Sequence, residues 1–351
     1  MRAARARTSL PTGKAEWIWK PLGRSESSPA AFALVRDFYL DPPPARGRLL
    51  VSADEEYVLY LNGRRIGSGR YTAAPGRRGA LLDSYEVSDL LTPGVNRLQA
   101  AVRSGRGAGG FLLALLDGAD GASGRSLLGT DESWRVYQRD HPFLLRGLVP
   151  LSPKLELGTG EVVSSWGLPP LGRWGVPTPG PKRPLFSDLT GGRAPLAAVR
   201  TVLCAPPAPG FPPVPRTLFD FGREVTGYLS FELTPDPVQR SALLFTGSDV
   251  PEVPGASPAG AIITLPGRHA WEAAVPLRFR YALVVGVSPL AGRLQPLATQ
   301  GGEAGLALRD KPPVPTRGVL GIVPPLLRTP VENEVWRKFE RLPGVSRRED
   351  L

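Results

Sequence analysis

The chain has 351 residues and carries 43 Lys and Arg against 32 Asp and Glu, a formal net charge of +11. Its length fits two packed domains of about 150 residues each. With 42% hydrophobic and 21% charged residues, the composition excludes a disordered chain. The 41 Gly and 40 Pro disfavour long helices, because Pro lacks an N–H donor and Gly costs backbone entropy. We expect turn-rich β structure.

The first predicted elements are strands separated by turns. Residues 32–40 form an extended run that ends at three consecutive prolines. Residues 57–61 and 64–67 flank Asn62-Gly63, the dipeptide that favours the two positive φ values of a type I′ hairpin. Short strands at this spacing predict an N-terminal β-sandwich over residues 15–140.

The amino-acid composition of the chain changes after residue 140. Sixteen of the 40 prolines fall within residues 141–216, which predicts a Pro/Gly-rich connection with edge strands. Strand patterns return over residues 217–300 and predict a second β-sandwich. Residues 301–351 are expected to be an extended tail with one short amphipathic helix over residues 331–340. The predicted fold is therefore all-β, with two jelly-roll-like sandwiches joined by the Pro-rich connection.

The excess positive charge gives little sign of a nucleic-acid partner. Basic residues occur mainly as short pairs such as Arg64-Arg65 rather than as a stripe along one face. The apolar runs are too short to cross a bilayer, and the N-terminus lacks the apolar segment of a secretory signal. We expect a soluble cytoplasmic protein with neither nucleic acid nor membrane as a partner.

Metal and cofactor chemistry is also not expected. Cys204 is the single cysteine, so neither an intramolecular disulfide nor a cysteine metal cluster can form. The two histidines, His141 and His269, lack metal-ligand spacing. The sequence predicts no metal site and no cofactor.

Several motifs resemble one enzyme family. Residues 15–19 (AEWIW), 51–63 (VSADEEYVLYLNG) and 85–96 (YEVSDLLTPGVN) resemble the N-terminal β-sandwich of bacterial α-L-rhamnosidase-type glycoside hydrolases. Residues 219–228 (FDFGREVTGY) and 271–281 look like the next sandwich of the same proteins. The resemblance implies this N-terminal region only, because the helical barrel that carries the family's catalytic carboxylates has no counterpart here.

Candidate sites follow from this resemblance and from the residues. We predict no catalytic residues, since no paired carboxylate motif stands out. The cluster Asp54, Glu55 and Glu56 is expected to be a solvated turn. Sugars stack on aromatic rings and bond to nearby polar groups. The Pro-rich connection therefore supplies the candidate substrate-binding residues Trp166, Arg173, Trp174 and Asp188. Motif residues expected to have structural roles are Asn62, Gly63, Asp220, Gly222 and Gly227.

The predicted function is that of a non-catalytic, carbohydrate-associated protein that binds sugar or acts as an accessory module. The ligand suggested by the resemblance is a rhamnose-containing glycan. Two alternatives stay open. One is a truncated or split α-L-rhamnosidase-type hydrolase, with a separately encoded catalytic chain as its partner. The other is a degenerate structural remnant.

Overall fold

A computed structural model describes residues 15–21, 30–71, 81–104, 109–118, 125–138, 156–163, 178–204, 215–233, 241–251, 258–263, 269–287, 289 and 291–298. The described residues form two compact units, most of the first lying before Ser187 and most of the second from Ser187 onward. None of the helices in these ranges is long and apolar enough to span a membrane.

The first unit is built from two sheets. Its strands, in chain order, are β1 (Ile18–Trp19), β2 (Ala30–Leu40), β3 (Gly47–Ala53), β4 (Glu55–Leu61), β5 (Arg64–Tyr71), β6 (Leu81–Glu86), β7 (Gly94–Ser104), β8 (Phe111–Asp117), β9 (Arg125–Gly129), β10 (Arg135–Tyr137), β11 (Glu156–Thr159), β12 (Glu161–Val162) and β13 (Thr178–Lys182). Within the described residues, sheet I has the order β12-β1-β8-β3-β6-β13 with β9 beside β8, and sheet II has the order β11-β10-β2-β7-β4-β5. A short 3-10 helix, Ser88–Leu90, follows β6.

Aromatic side chains fill the space between the two sheets. The Trp19 ring of sheet I meets the Phe32 ring of sheet II edge to face, with 4.7 Å between ring centroids. Phe111 and Trp134 make a similar contact at 6.1 Å. All four side chains are buried. The alternation of β-strand side chains therefore leaves Ala33, Val35 and Asp37 on the opposite face of β2, away from this core.

The predicted hairpin is present. Leu61 pairs with Arg64 across the turn, and Asn62 and Gly63 have φ values of 50° and 78°. These are the positive values that a type I′ turn requires, so the hairpin predicted from Asn62-Gly63 is confirmed.

Replacement of Gly63 by Val is expected to lower the free energy of unfolding by about 1–2 kcal/mol, because a β-branched side chain is strained at positive φ. Urea unfolding of Gly63→Val checks this. Val95→Ala, on an exposed side chain nearby, is the control and should change stability little. An unchanged Gly63→Val would contradict the assigned turn.

A hydrogen-bond network links two of the motifs that resemble the glycosidase family. The Asn62 side chain accepts from the Arg97 backbone N–H at 2.9 Å and donates to the Asn96 side chain at 2.8 Å. The Asn96 Oδ1 atom also accepts from the Thr92 N–H at 3.0 Å, and Asn62 donates to the Leu90 carbonyl at 3.1 Å. Both asparagines therefore fix the packing of the hairpin against the turn before β7, which is a structural role.

The second unit contains one strongly bent sheet. Its elements are α1 (Phe186–Thr190, which begins at the unit boundary), β14 (Leu196–Ala197), β15 (Arg200–Leu203), β16 (Arg216–Leu233), β17 (Ser241–Gly247), β18 (Gly260–Ile263), β19 (His269–Glu272), β20 (Leu277–Val285) and β21 (Ala291–Pro296). Within the described residues, sheet III has the order β14-β21-β16-β20-β17-β18, and β15 and β19 also pair with β16.

Strand β16 contributes to both layers of this unit. Phe219 and Phe231 are twelve residues apart in the strand, a separation of about 40 Å in a straight strand. Their ring centroids are nevertheless 5.0 Å apart. The strand bends where its pairing with β20 shifts register, between Asp220 and Val225. The folded sheet encloses a core that includes Phe279 and Leu294, as a sandwich requires.

The all-β fold predicted from the sequence is confirmed, and the described parts of the Pro-rich segment add strands to all three sheets. β11 and β12 pair at the edges of sheets II and I, β13 pairs with β6, β14 pairs with β21 and β15 pairs with β16. Helix α1 was not predicted. The helix predicted over residues 331–340 lies outside the described residues. The bounds of the four predicted segments stay predictions.

Candidate functional site

One end of the outer face of sheet II combines charged, aromatic and exposed apolar side chains. Further along the same face, Ala33, Val35, Val58, Tyr60, Ala101 and Tyr137 form a buried apolar cluster. The polar end is built from β2, β7, β10 and β11. We call it the sheet II surface and define it as Asp37, Tyr39, Val95, Arg97, Arg135, Tyr137 and Glu156.

The first ion pair of the sheet II surface joins β2 to β7. Arg97 donates from Nε and Nη2 to the two carboxylate oxygens of Asp37 at 2.6 and 2.7 Å. The Arg97 side chain is 10% exposed, whereas that of Asp37 is 46% exposed. The hydrogen bond to Asp37 raises the pKa of Arg97 above its ordinary value. The pair thus presents mainly carboxylate to solvent.

The second ion pair joins β10 to β11. Arg135 donates from Nε to Glu156 at 3.0 Å, and its Nη2 contacts the other carboxylate oxygen. The hydrogen bond from Arg135 lowers the pKa of Glu156. Here the arginine is the more exposed partner, at 51% against 24% for Glu156. This pair therefore presents mainly guanidinium to solvent.

Tyr137 lies beneath these pairs. The Arg135 guanidinium lies over its ring, 5.5 Å from the centroid. Its hydroxyl has no hydrogen-bond partner among the described residues, and the side chain is fully buried. Burial raises the pKa of Tyr137, and the charges of Arg135, Glu156, Arg97 and Asp37 all act on it. The two ion pairs are therefore close enough to share one electrostatic environment.

Exposed hydrophobic side chains surround the same groups. Among the described residues of the first unit, the large hydrophobic side chains that are exposed are Tyr39 at 68%, Val95 at 53% and Leu157 at 44%. Tyr39 lies two residues after Asp37 and Val95 two residues before Arg97, so each shares the face of that pair. Leu157 directly follows Glu156 in β11, so its side chain does not share the face of Glu156. Exposed apolar groups gathered beside fixed polar groups are typical of binding surfaces.

The chemistry of this surface fits ligand binding better than acid–base catalysis. A carboxylate that accepts a bidentate arginine keeps further lone pairs, and arginine keeps further N–H donors. Both can bond to ligand hydroxyls while the Tyr39 ring covers an apolar ligand face. A general acid in glycoside hydrolysis needs a raised pKa, and the pKa of Glu156 is lowered.

The site residues predicted from the sequence are only partly placed. Trp166, Arg173 and Trp174 lie outside the described residues. Asp188 lies on α1 and is exposed, with the Ser187 hydroxyl donating to it at 3.4 Å. Asp188 is therefore the one predicted substrate-binding residue that lies within the described residues.

The expectation of a solvated turn at residues 54–56 was wrong for two of the three residues. Asp54 is buried, and its backbone N–H donates to the Gly110 carbonyl at 2.8 Å. Glu56 forms an ion pair with Arg70 at 3.3 Å. Glu55 has a φ of 81°, which marks a local kink at the start of β4. The kink and the strand pairing that follows it draw these polar groups into the sheet.

Asp220 and Glu224 lie on either side of the bend in β16. Asp220 accepts from the Gly222 N–H at 2.8 Å and from Arg280 at 3.1 Å, and Gly222 has a φ of 76°. Glu224 accepts from Ser248 at 2.6 Å and from Arg278 at 2.5 Å. Both carboxylates therefore hold the corner of the sandwich.

The corner carboxylates should make stability depend on pH. Hydrogen bonding from Arg280 lowers the pKa of Asp220, and hydrogen bonding from Ser248 and then Arg278 lowers that of Glu224. A carboxyl group with a lowered pKa stabilises the fold above its ordinary pKa, and this contribution is lost as the pH falls through the folded-state value.

Asp220→Asn should therefore lower the urea midpoint at pH 7, and the difference from wild type should shrink between about pH 5 and pH 3. Glu132→Gln, at an exposed position, is the control. A difference that stays constant over this range would show that the Arg280 ion pair does not stabilise the corner.

A buried polar cluster lies between sheets I and II. Asp83 is fully buried and accepts from the Tyr57 hydroxyl at 2.7 Å and from Arg183 Nε at 2.9 Å. The Tyr57 and Tyr85 hydroxyls are 3.0 Å apart. Because Tyr57, Asp83 and Tyr85 are buried, we assign this cluster a structural role. No group of three or more His, Cys, Asp or Glu side chains suited to a metal ion occurs in the described parts of the chain.

Sequence reasoning missed the sheet II surface. Its members are far apart in the chain, from Asp37 to Glu156, and are brought together by strand pairing. The available signal was local: charged and aromatic residues at the end of a predicted strand, just before the prolines. That signal suggested a strand end and gave no partner for Asp37 or Arg135.

Comparison with known proteins gives structural neighbours alone. No family model matches the chain, and no curated protein matches it by sequence. An α-L-rhamnosidase from Dictyoglumus thermophilum shares 16% identity at a TM-score of 0.46, over 82% of this chain and 36% of its own. An α-L-rhamnosidase from Aspergillus terreus shares 17% identity with the same TM-score and coverage. A Pleurotus ostreatus lectin, solved with GalNAc, shares 16% identity at a TM-score of 0.37, over 83% of this chain and 79% of its own. The chain thus spans about a third of the length of these α-L-rhamnosidases, the family that its motifs resemble.

Proposed function

We propose that this protein is a carbohydrate-binding module without catalytic activity of its own, and that the sheet II surface holds the sugar. The observation that carries the proposal is the exposed ring of Tyr39 beside the Asp37–Arg97 ion pair. Sugar rings present C–H faces that stack on aromatic side chains, and hydroxyl edges that bond to charged groups fixed in place.

Three further features support the same proposal. Arg97 and Arg135 are each held by two contacts to one carboxylate, so their side chains are already ordered before binding. Pre-ordering lowers the entropy lost when a ligand binds. The exposed Val95 side chain, two residues before Arg97, adds an apolar group to the same face. The motifs that resemble α-L-rhamnosidases make rhamnose-containing glycans the first ligands to test.

Binding is expected to be weak. The free energy gained from one stacked ring and a few hydrogen bonds only slightly exceeds the cost of removing water from the sugar hydroxyls. A dissociation constant in the millimolar to high-micromolar range, or about 4–6 kcal/mol, is the expected scale.

Isothermal titration with L-rhamnose and rhamnose-containing oligosaccharides tests this site. Tyr39→Ala should weaken binding by about tenfold, because the stacking ring is lost. It should leave the melting temperature nearly unchanged, since the side chain is largely exposed. Leu203→Ala removes a similarly exposed side chain from β15 and should leave binding intact. Equal affinities for wild type and Tyr39→Ala would rule out this surface as the site.

The tryptophan-containing part of the Pro-rich connection remains a second proposed contact. Trp166 and Trp174, with Arg173 and Asp188, are proposed as a separate group that offers stacking and hydrogen bonds to a sugar. Binding lost in Trp166→Ala or Trp174→Ala but retained in Tyr39→Ala would place the sugar there. Turnover of an aryl α-L-rhamnoside by the purified chain, lost on changing one carboxylate, would favour the hydrolase alternative.

A further inference from the structure

The charges of the sheet II surface sum to zero. Asp37 and Glu156 supply two negative charges, and Arg97 and Arg135 supply two positive charges. Each arginine contacts one carboxylate with two nitrogens. A sugar carboxylate would have to bind the planar pair of arginine N–H groups to which Asp37 and Glu156 are already bound.

The two arginines differ in how a ligand could reach them. Arg97 is almost buried at 10% exposure, so its partner Asp37 is the group that meets solvent. Arg135 is 51% exposed and is the guanidinium that a sugar acid could approach. Glu156 occupies the fork of Arg135, and the exposed Asp37 adds a second negative charge acting on Arg135.

Glu156 stays charged at neutral pH. Its pKa is lowered by the hydrogen bond from Arg135, so the carboxylate bound to the Arg135 guanidinium is ionised at neutral pH. A second carboxylate arriving beside it would meet like charge. Like-charge contacts of this kind are a common way of rejecting a wrong ligand.

We propose that the sheet II surface selects uncharged sugars over sugar acids and that Glu156 is the residue that sets this selectivity. The inference rests on the proposed sugar-binding function. It names the ligand class as neutral saccharides, with hydroxyls bonding to Asp37 and Arg135. Replacing Glu156 by Gln removes the negative charge from the fork of Arg135 while keeping the shape of the side chain.

The test compares D-galactose, L-rhamnose and D-galacturonate on wild-type protein and on Glu156→Gln by isothermal titration. Wild type should bind at least one neutral sugar, and D-galacturonate should bind about tenfold more weakly or not at all. Glu156→Gln should gain D-galacturonate affinity by about tenfold, and this gain should shrink at high salt. Glu161→Gln, on an exposed glutamate of β12, should show no gain.

The outcomes separate the two proposals. Binding of neutral sugars by wild type without a gain in Glu156→Gln overturns the role of Glu156 alone. A wild-type preference for D-galacturonate over D-galactose overturns the inferred selectivity, and this comparison needs no variant to fold. Absence of any sugar binding in both proteins overturns the proposed function and this inference together.

Discussion

Replacement of Gly227 by Ala should destabilise the second unit by about 3 kcal/mol or more, because the added carbon overlaps backbone atoms. A Cβ at this position would overlap the Gln295 carbonyl oxygen and lie 2.9 Å from both the Gln295 carbonyl carbon and the Pro296 Cα atom. Gly227 pairs with Leu277 on one side and with Pro296 on the other, so neither neighbouring strand can move aside without losing its ladder.

Hydrogen exchange measured by mass spectrometry localises this effect. Exchange should rise in Gly227→Ala over residues 216–233 and 291–296 and stay near wild type in β3 and β8. Gly94→Ala is the control, since Gly94 has a φ of 87° and its added carbon would meet nothing within 4 Å. It should cost only about 1–2 kcal/mol of local strain. Wild-type exchange in Gly227→Ala would contradict the close approach of β16 to β21.

Loss of the Asp83 carboxylate should be almost as damaging in the first unit. Asp83→Ala is expected to lower the free energy of unfolding by about 2–4 kcal/mol, because it leaves the Tyr57 hydroxyl and the Arg183 guanidinium without their buried acceptor. The lower value of this range takes account of Arg183, because its side chain is 24% exposed and its guanidinium can bond to water instead.

Tyr85→Phe is the matched control for Asp83→Ala. It removes one hydroxyl from the same cluster and keeps the Tyr57–Asp83 and Arg183–Asp83 contacts, so about 1 kcal/mol should be lost. Urea unfolding followed by tryptophan fluorescence reports this unit through Trp17, Trp19 and Trp134, all buried in it, and the second unit through the buried Trp271. Equal stability of the two variants would show that the carboxylate contributes no more than one hydroxyl.

Local signals in the sequence were enough for much of the fold. Asn62-Gly63 predicted a turn because few dipeptides adopt two positive φ values easily. The abundance of Gly and Pro predicted β structure because it disfavours long helices. The bend of β16 was not predicted, since Phe219 and Phe231 are twelve residues apart in the sequence and only tertiary packing shows that they meet.

The candidate site was less accessible to sequence reasoning. Asp37, Arg97, Arg135 and Glu156 each look like ordinary surface charges in the sequence, and their pairing depends on strand order in sheet II. The predicted site was placed at the tryptophans of the Pro-rich segment instead, because that segment differs in composition from the rest of the chain. Exposure of Tyr39 is a property of the folded sheet, and its sequence neighbours Phe38 and Leu40 give no sign that it differs from them.

The proposal that the sheet II surface binds sugar is tested most directly by fluorine NMR of protein labelled with 3-fluorotyrosine. The chain has eight tyrosines, and the spectrum of Tyr39→Phe identifies the Tyr39 resonance. On titration with L-rhamnose or a rhamnose-containing oligosaccharide, the Tyr39 resonance should shift in a saturable way, while Tyr57 and Tyr85, buried between the sheets, stay unchanged. A Tyr39 resonance that does not move while another part of the protein binds the same sugar would contradict the proposal.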